Sequence, residues 1–463
     1  MMRRLVPTLI ASAALAGCGS LAPRYERPAA PVEAAFPNAP AASAPATPAA
    51  DLAWADFYAD ARLQRLIGIA LENNRDLRIA VLGIERARAQ WQATRADVWP
   101  TLNAAAAASR QSKADGGVTS LYTAGLAVTS WELDLFGRVR SLGDAAQAQV
   151  LASEEARKAT QIALVGAVAT AHYALLADDA LLALTRRTLD SREASLKLVR
   201  LKFELGATSA LELRQAESLL EGTRLAYAQQ TRQRALDENA LVLLLGQAVP
   251  ADLPGAGALE AAALPDVPAG LPSEVLVRRP DVRQAEQQLI AANASIGAAR
   301  AAFFPRITLT GSLGLASTTL SGLFSNGDIG WSFAPQAVLP IFDAGRNSAN
   351  LGVAQASRDL AVAQYERAVQ VAFREVADAL AGRATLAEQL RAQQAQAEAE
   401  TERARLAELR WRQGVASHLE LYDAQRAAYA AQQAVVQLRA AQVQNGVLLY
   451  RVLGGGWTDR PGS

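Results

Sequence analysis

The chain has 463 residues, 51% of them hydrophobic, and a formal charge of +1 from 46 basic and 45 acidic side chains. That balance removes the electrostatic motive for a nucleic-acid partner and leaves membranes and proteins open. No window approaches the roughly 18 consecutive apolar residues of a spanning helix, so no inner-membrane span is expected.

The first segment, residues 1–17, reads as a signal peptide: Arg3 and Arg4 precede an apolar run from Leu5 to Ala14. It ends in Leu15-Ala16-Gly17-Cys18, which resembles the bacterial lipobox. That resemblance makes Cys18, the single cysteine, the acylated mature N-terminus, carrying N-acyl and S-diacylglycerol lipid. Gly19 stands where an aspartate commonly retains such lipoproteins at the inner membrane, so an outer-membrane destination is expected. Residues 18–60 form a lipid-anchored tether, punctuated by prolines between Pro23 and Pro48 and extended in conformation.

The remainder is a tandem duplication: a first repeat at 61–248, a proline- and glycine-rich surface connector at 249–272, a second repeat at 273–456 and a tail at 457–463. GATSALELRQAES at Gly206 returns as GVASHLELYDAQR at Gly414, 208 positions later (414 − 206). Upstream the offset is 205, joining Asp76 to Asp281 and Trp99-Pro100 to Phe304-Pro305. In each repeat a helix stops before the proline, because the residue preceding proline disfavours helical geometry. Strand alternation follows, in pairs near 101–110 and 119–132, then 306–316 and 329–342. Ile307, Leu309, Leu313 and Leu315 alternate with Thr308, Thr310 and Ser312, and Ile329, Trp331, Phe333, Leu339 and Ile341 share one parity. Each strand is about ten residues, the length a tilted strand needs to cross a bilayer. Trp99, Trp131, Phe136, Phe303, Phe304 and Phe342 sit at their ends as interfacial anchors would.

Beyond the strands, Ser141 to Leu205 and Asn347 to Gln413 lack proline and read as helices on the order of 100 Å long. Each ends in a turn that the sequence spells out. Gly206 and Gly414 can take left-handed geometry, and Ser209 with Glu212 and Ser417 with Glu420 form capping boxes for the returning helices. Neither His172 nor His418 stands in metal-ligand spacing or beside a nucleophile motif, so no metal, catalytic residue or enzyme activity is expected.

Four strands cannot close a barrel, and an open edge in lipid leaves backbone groups unpaired at several kilocalories per mole each. Two chains would give eight strands, which side chains plug; three give twelve and an interior passage. The expected fold is therefore a mixed α and β membrane protein built from a tandem repeat, with long helices continuing the passage into the periplasm. A pore-less periplasmic lipoprotein scaffold would share the helices but gives no account of the strand pairs.

RYERPAAPV at Arg24, LENNRDLR at Leu71, WELDLFGR at Trp131, RRPDV at Arg278, AANASIGAARAAFFP at Ala291 and YDAQR at Tyr422 add to the lipobox. Together they resemble the outer-membrane efflux factors of the TolC-like superfamily, and among them the OprM type of lipoprotein. The resemblance implies a homotrimer with a twelve-stranded outer-membrane barrel, four strands from each chain, and a periplasmic α-helical barrel. It also implies a periplasmic adaptor, an inner-membrane pump of the resistance-nodulation-division class, and passive export of drugs or other toxic small molecules.

Two sets of site residues are expected. The turns Gly206, Ala207, Thr208, Ser209 and Gly414, Val415, Ala416, Ser417 would form the tips that meet the adaptor. Leu419, Asp423 and Arg426, spaced four and three apart, fall on one helical stripe. The resemblance places gate residues there, and Tyr422, offset by one, points aside.

Overall fold

The computed structural model describes residues 20–37, 48–112, 116–270, 272–325 and 328–458. The lipobox and Cys18 lie outside them. In chain order the elements are α1 (Trp54–Phe57), α2 (Ala61–Asn73), α3 (Arg75–Ala96), β1 (Leu102–Ser112), β2 (Val118–Glu132), α4 (Arg138–Glu204) and α5 (Ala210–Leu245). Then follow α6 (Pro272–Arg278), α7 (Pro280–Ala301), β3 (Arg306–Ser317), β4 (Asp328–Val338), α8 (Arg346–Arg412) and α9 (His418–Val452). The chain divides into two compact units, each drawing segments from both repeats. One takes Leu82–Glu155, Arg283–Ala368 and the N-terminal segment to Ala30; the other takes Pro31–Val81, Ala156–Val282 and the chain from Val369.

The first unit holds the sheet, antiparallel throughout, in the order β1-β2-β3-β4. Each repeat supplies one hairpin, and β2 joins β3 across the duplication. Register sets Leu102 opposite Val128, Leu126 opposite Leu313 and Leu313 opposite Trp331, so the apolar parities of all four strands fall on one face. The other face carries Asn103, Thr123, Thr308, Ser312 and Ser332. A bulge between Val128 and Trp131, with Ser130 at φ 55°, keeps Trp131 on the oily side. On the polar face Gly125 lies opposite Gly314, where a Cβ would come within 2.3 Å of backbone, so this crossing admits only glycine.

Three expectations need correction. The fourth strand ends at Val338, leaving Leu339 and Ile341 outside it, because Pro340 has no N–H to offer a ladder and restrains the residue before it. Among its described residues the N-terminal segment is not a free extended tether: Trp54–Phe57 is helical, and residues 21–27 are held by another helix. Proline-rich backbone makes no hydrogen bonds of its own, and α7 supplies partners from one face: Arg300 to Leu21 O at 3.1 Å, Asn293 to Pro23 O at 2.7 Å, and Glu286 to both Tyr25 and Arg27. Nor does the connector stay on the surface, since Leu259, Val267 and Ala269 are buried in the core of the second unit.

That core packs Leu63, Leu66, Ile67, Val168 and Leu245 around stacked Phe57 and Tyr450, whose ring centroids are 3.9 Å apart. Tyr450 Oη donates to Leu52 O at 2.6 Å. Part of α4 is apolar enough to cross a membrane, yet more than half of that stretch is buried against protein. The repeats share one tie. Asn74 donates to Leu244 O at 2.9 Å, and its counterpart in the second repeat, Arg279, donates to Val452 O at 2.9 Å. Arg279 is buried and reaches further, to Asp281 at 2.6 Å and Glu375 at 2.7 Å, so its charge is neutralised where it enters the core.

Between α4 and α5 lies a carboxyl pair. Burial first, and then a hydrogen bond to Asp237, raise Asp178 to about 7. The neighbouring Asp179 pushes in the same direction and Arg234 opposes. The folded state therefore holds a proton the unfolded chain has lost above its ordinary carboxylate range. This contribution to stability is full below about pH 4 and is lost as pH rises through about 7. Asp178→Asn should melt above the wild-type protein at pH 8, with the advantage gone at pH 4. Thermal unfolding in detergent at both values checks this; an equal difference at the two would contradict it.

Candidate functional site

The turns closing α4–α5 and α8–α9 share one construction. Gly206 and Gly414 have φ of 71° and 77°. Gly206 and Ala207 donate to Phe203 O and Lys202 O at 2.9 and 2.7 Å, and Gly414 and Val415 to Trp411 O and Arg410 O at 2.9 and 3.0 Å. These crossed bonds satisfy carbonyls that the helix end would leave unpaired. Ser209 and Ser417 then accept from the Glu212 and Glu420 N–H groups at 3.2 Å, which begins the returning helices. The expected capping boxes are only half made, because both glutamate side chains turn to other partners. Glu420 pairs with Arg410 at 2.8 Å, and Glu212 lies 3.7 Å from His418.

This last contact joins the two repeats. His418 is 9% exposed, edge-on to Trp411 at 4.8 Å, and the Lys202 ammonium lies 4.6 Å from the Trp411 ring centre. Burial holds the His418 imidazole below its ordinary range against the pull of Glu212. Beneath them Leu196, Val199, Leu213, Ala216, Leu421 and Tyr422 form a small separate core. Sequence spacing gives no hint of the pairing, since nothing local links a histidine to a glutamate of the other repeat.

The structure brings Leu419, Asp423 and Arg426 onto one exposed stripe of α9. Leu419 is 61% exposed, and the Asp423 and Arg426 side chains are comparably open. Asp423 Oδ1 meets Arg426 at 3.3 Å, while its other oxygen meets Arg403 of α8 at 3.4 Å, a partner the sequence did not reveal. Tyr422 is buried, as its one-residue offset implies. Nearby, buried Arg192 of α4 donates to Gln425. Around the turns Ala207, Ser209, Val415 and Ser417 are exposed and Thr208 and Ala416 half-buried, and Leu205 and Leu211 add an apolar surface the sequence reading did not single out. Nothing in this arrangement brings a nucleophile to a base; it is a packed double turn with a charged stripe beside it.

Comparison with known proteins gives the same picture across the whole chain. The family model for outer membrane efflux proteins matches twice, at residues 66–247 and 271–455. The chain is 48% identical to the outer membrane protein OprJ of Pseudomonas aeruginosa, over 98% of this chain and 96% of that one. It is 47% identical to TtgC of Pseudomonas putida, a probable efflux pump outer membrane protein, over 100% of this chain and 97% of that one. Among solved structures it superposes on the open-state MtrE outer membrane channel of Neisseria gonorrhoeae with a TM-score of 0.87. The two share 42% identity over 95% of this chain and 99% of that one. Two matched repeats, long hairpins and four strands on one oily sheet agree: the chain belongs to the outer membrane efflux protein family, whose members are transport components.

Proposed function

We propose that three copies of this chain form the outer-membrane duct of a tripartite pump, with a periplasmic adaptor and an inner-membrane pump of the resistance-nodulation-division class, exporting drugs or other toxic small molecules. The observation that carries the reading is the sheet: one face is apolar across all four strands, and β1 and β4 each leave an edge unpaired within the chain. Twelve strands from three chains close it and leave a passage. Relatives described as exporting antibiotics, toluene and other solvents support the class of cargo. Lipid on Cys18 adds an anchor to a protein whose barrel already provides a far larger apolar surface. Mass spectrometry of the mature N-terminus should find that cysteine N-acylated and diacylglycerol-modified; an unmodified thiol would remove lipidation from the account.

Leu419, Asp423 and Arg426 form the gate in this reading. Threefold symmetry turns each into a ring: the leucines narrow the path, while Asp423, held between Arg403 and Arg426, ties neighbouring helices by charge. In planar bilayers the protein should conduct with low resting conductance. Replacing Asp423 and Arg426 together by alanine should raise that conductance and admit large antibiotics into cells. Unchanged conductance at matched expression would refute the gate, and no conductance from folded protein would refute the duct.

The tips, Gly206 to Ser209 and Gly414 to Ser417, meet the adaptor. Their exposed apolar rim, Leu205, Leu211 and Val415, suits an apolar partner surface. Tryptophan at Gly206 and Gly414 would be strained at positive φ and would bury this rim. The double variant should abolish efflux and adaptor crosslinking while assembly and lipidation persist, whereas normal pumping with normal crosslinking would exclude docking here.

A further inference from the structure

The polar face of the sheet is nearly free of charge. Thr308, Thr310, Ser312 and Gly314 on β3 and Ser332 and Gln336 on β4 are typical of it. Among the described strand residues, ionisable side chains occur on this face only at its two ends. Asp328 lies at the β3–β4 hairpin end, and Arg306 and Glu132 lie at the end where β2 leads into α4. Pairing of Glu132 with Thr308 fixes Arg306 as its diagonal neighbour on the same face.

At that helix-side rim one carboxylate serves two guanidinium groups. Glu132, only 10% exposed, takes Arg138 on both oxygens, at 2.8 and 2.7 Å, and Arg306 on one, at 2.6 Å. The two arginines are not equivalent. Arg138 also feels Asp134 and Asp97, and a third of its side chain is exposed. Arg306 shares a single oxygen and is 59% exposed. The carboxylate, divided between two guanidinium groups, thus holds Arg306 in place and offsets only part of its charge, and the neighbouring polar face of the described strands carries no other charge until Asp328.

We propose that Arg306 is a selectivity residue. Three copies make a positive collar at the helix-side mouth of the barrel, which favours anionic, carboxylate-bearing solutes over cations of similar size. The proposal rests on the threefold barrel with its polar face inward. A guanidinium at the low-dielectric wall of a narrow passage concentrates counter-ions there, and the uncharged stretch beyond it offers no competing filter.

Reversal potentials across planar bilayers in a potassium chloride gradient test it. Arg306→Gln should raise the ratio of potassium to chloride permeability about two-fold over wild type, as one ring of positive charge is lost. Arg306→Lys should keep the wild-type ratio. Ala334→Asp, on the same face of β4 but opposite Thr310 and not opposite Glu132 or Arg306, should shift the ratio as Arg306→Gln does, so the test survives even if Arg306→Gln misfolds. Wild-type ratios in conducting Arg306→Gln and Ala334→Asp channels would overturn the collar and leave the barrel standing. A wild-type trimer that never conducts would overturn both.

Discussion

A β-strand edge cannot face hydrocarbon. Each unpaired N–H or C=O there costs several kilocalories per mole, and this chain presents two such edges, β1 and β4, on a sheet with one continuous apolar face. Two local features of the β2–β3 pairing shape that sheet. The bulge at Ser130 keeps Trp131 on the oily side, and the Gly125–Gly314 crossing brings two strands closer than any Cβ would allow. Pro335 on β4 has no N–H to donate, so the ladders of this strand carry one donor fewer at that position. A single copy is an incomplete object, and threefold assembly completes it.

The duplicated helices solve a different problem, since a pair of 67-residue helices must be held in register by contacts spread along their length. The repeats use one grammar and different chemistry. Asn74 and Arg279 both tie a helix start to the last carbonyls of a returning helix, but arginine also reaches Glu375 where the first repeat has Ala167. Both turns use a left-handed glycine and a serine cap, while only the second repeat carries Asp423 and Arg426. The scaffold is thus symmetric within the chain where geometry is needed and asymmetric where charge is needed. His418 against Glu212 is the point at which the two copies become one structure at the turns.

Much of this was legible in the sequence because it is written in local periods. Alternation in Ile307 to Leu315 gave a strand face, the absence of proline gave the long helices, and Gly206 and Gly414 gave the turns. Spacing also put Leu419, Asp423 and Arg426 on one stripe, which α9 shows. Contacts between elements distant in sequence were not legible. Arg403 reaches Asp423 from another helix, Glu286 receives Tyr25 and Arg27 from the N-terminal segment, and Leu259 and Val267 enter a core that their proline-rich surroundings do not advertise. Residue type reported what each side chain could do, and tertiary packing decided with whom. The half-made capping boxes show the same limit, since Glu212 and Glu420 had better-placed partners than their own serines.

The central claim is that β1 of one copy pairs with β4 of the next, three times around. Oxidative crosslinking tests it most directly, with cysteine pairs scanned along Ala104 to Ala108 on β1 and Ser332 to Gln336 on β4 in protein purified from outer membranes. The account predicts that one register of pairs gives a denaturant-resistant ladder ending at three chains. A ladder ending at two chains, one running beyond three, or the absence of any β1–β4 crosslink in folded, membrane-inserted protein would contradict it.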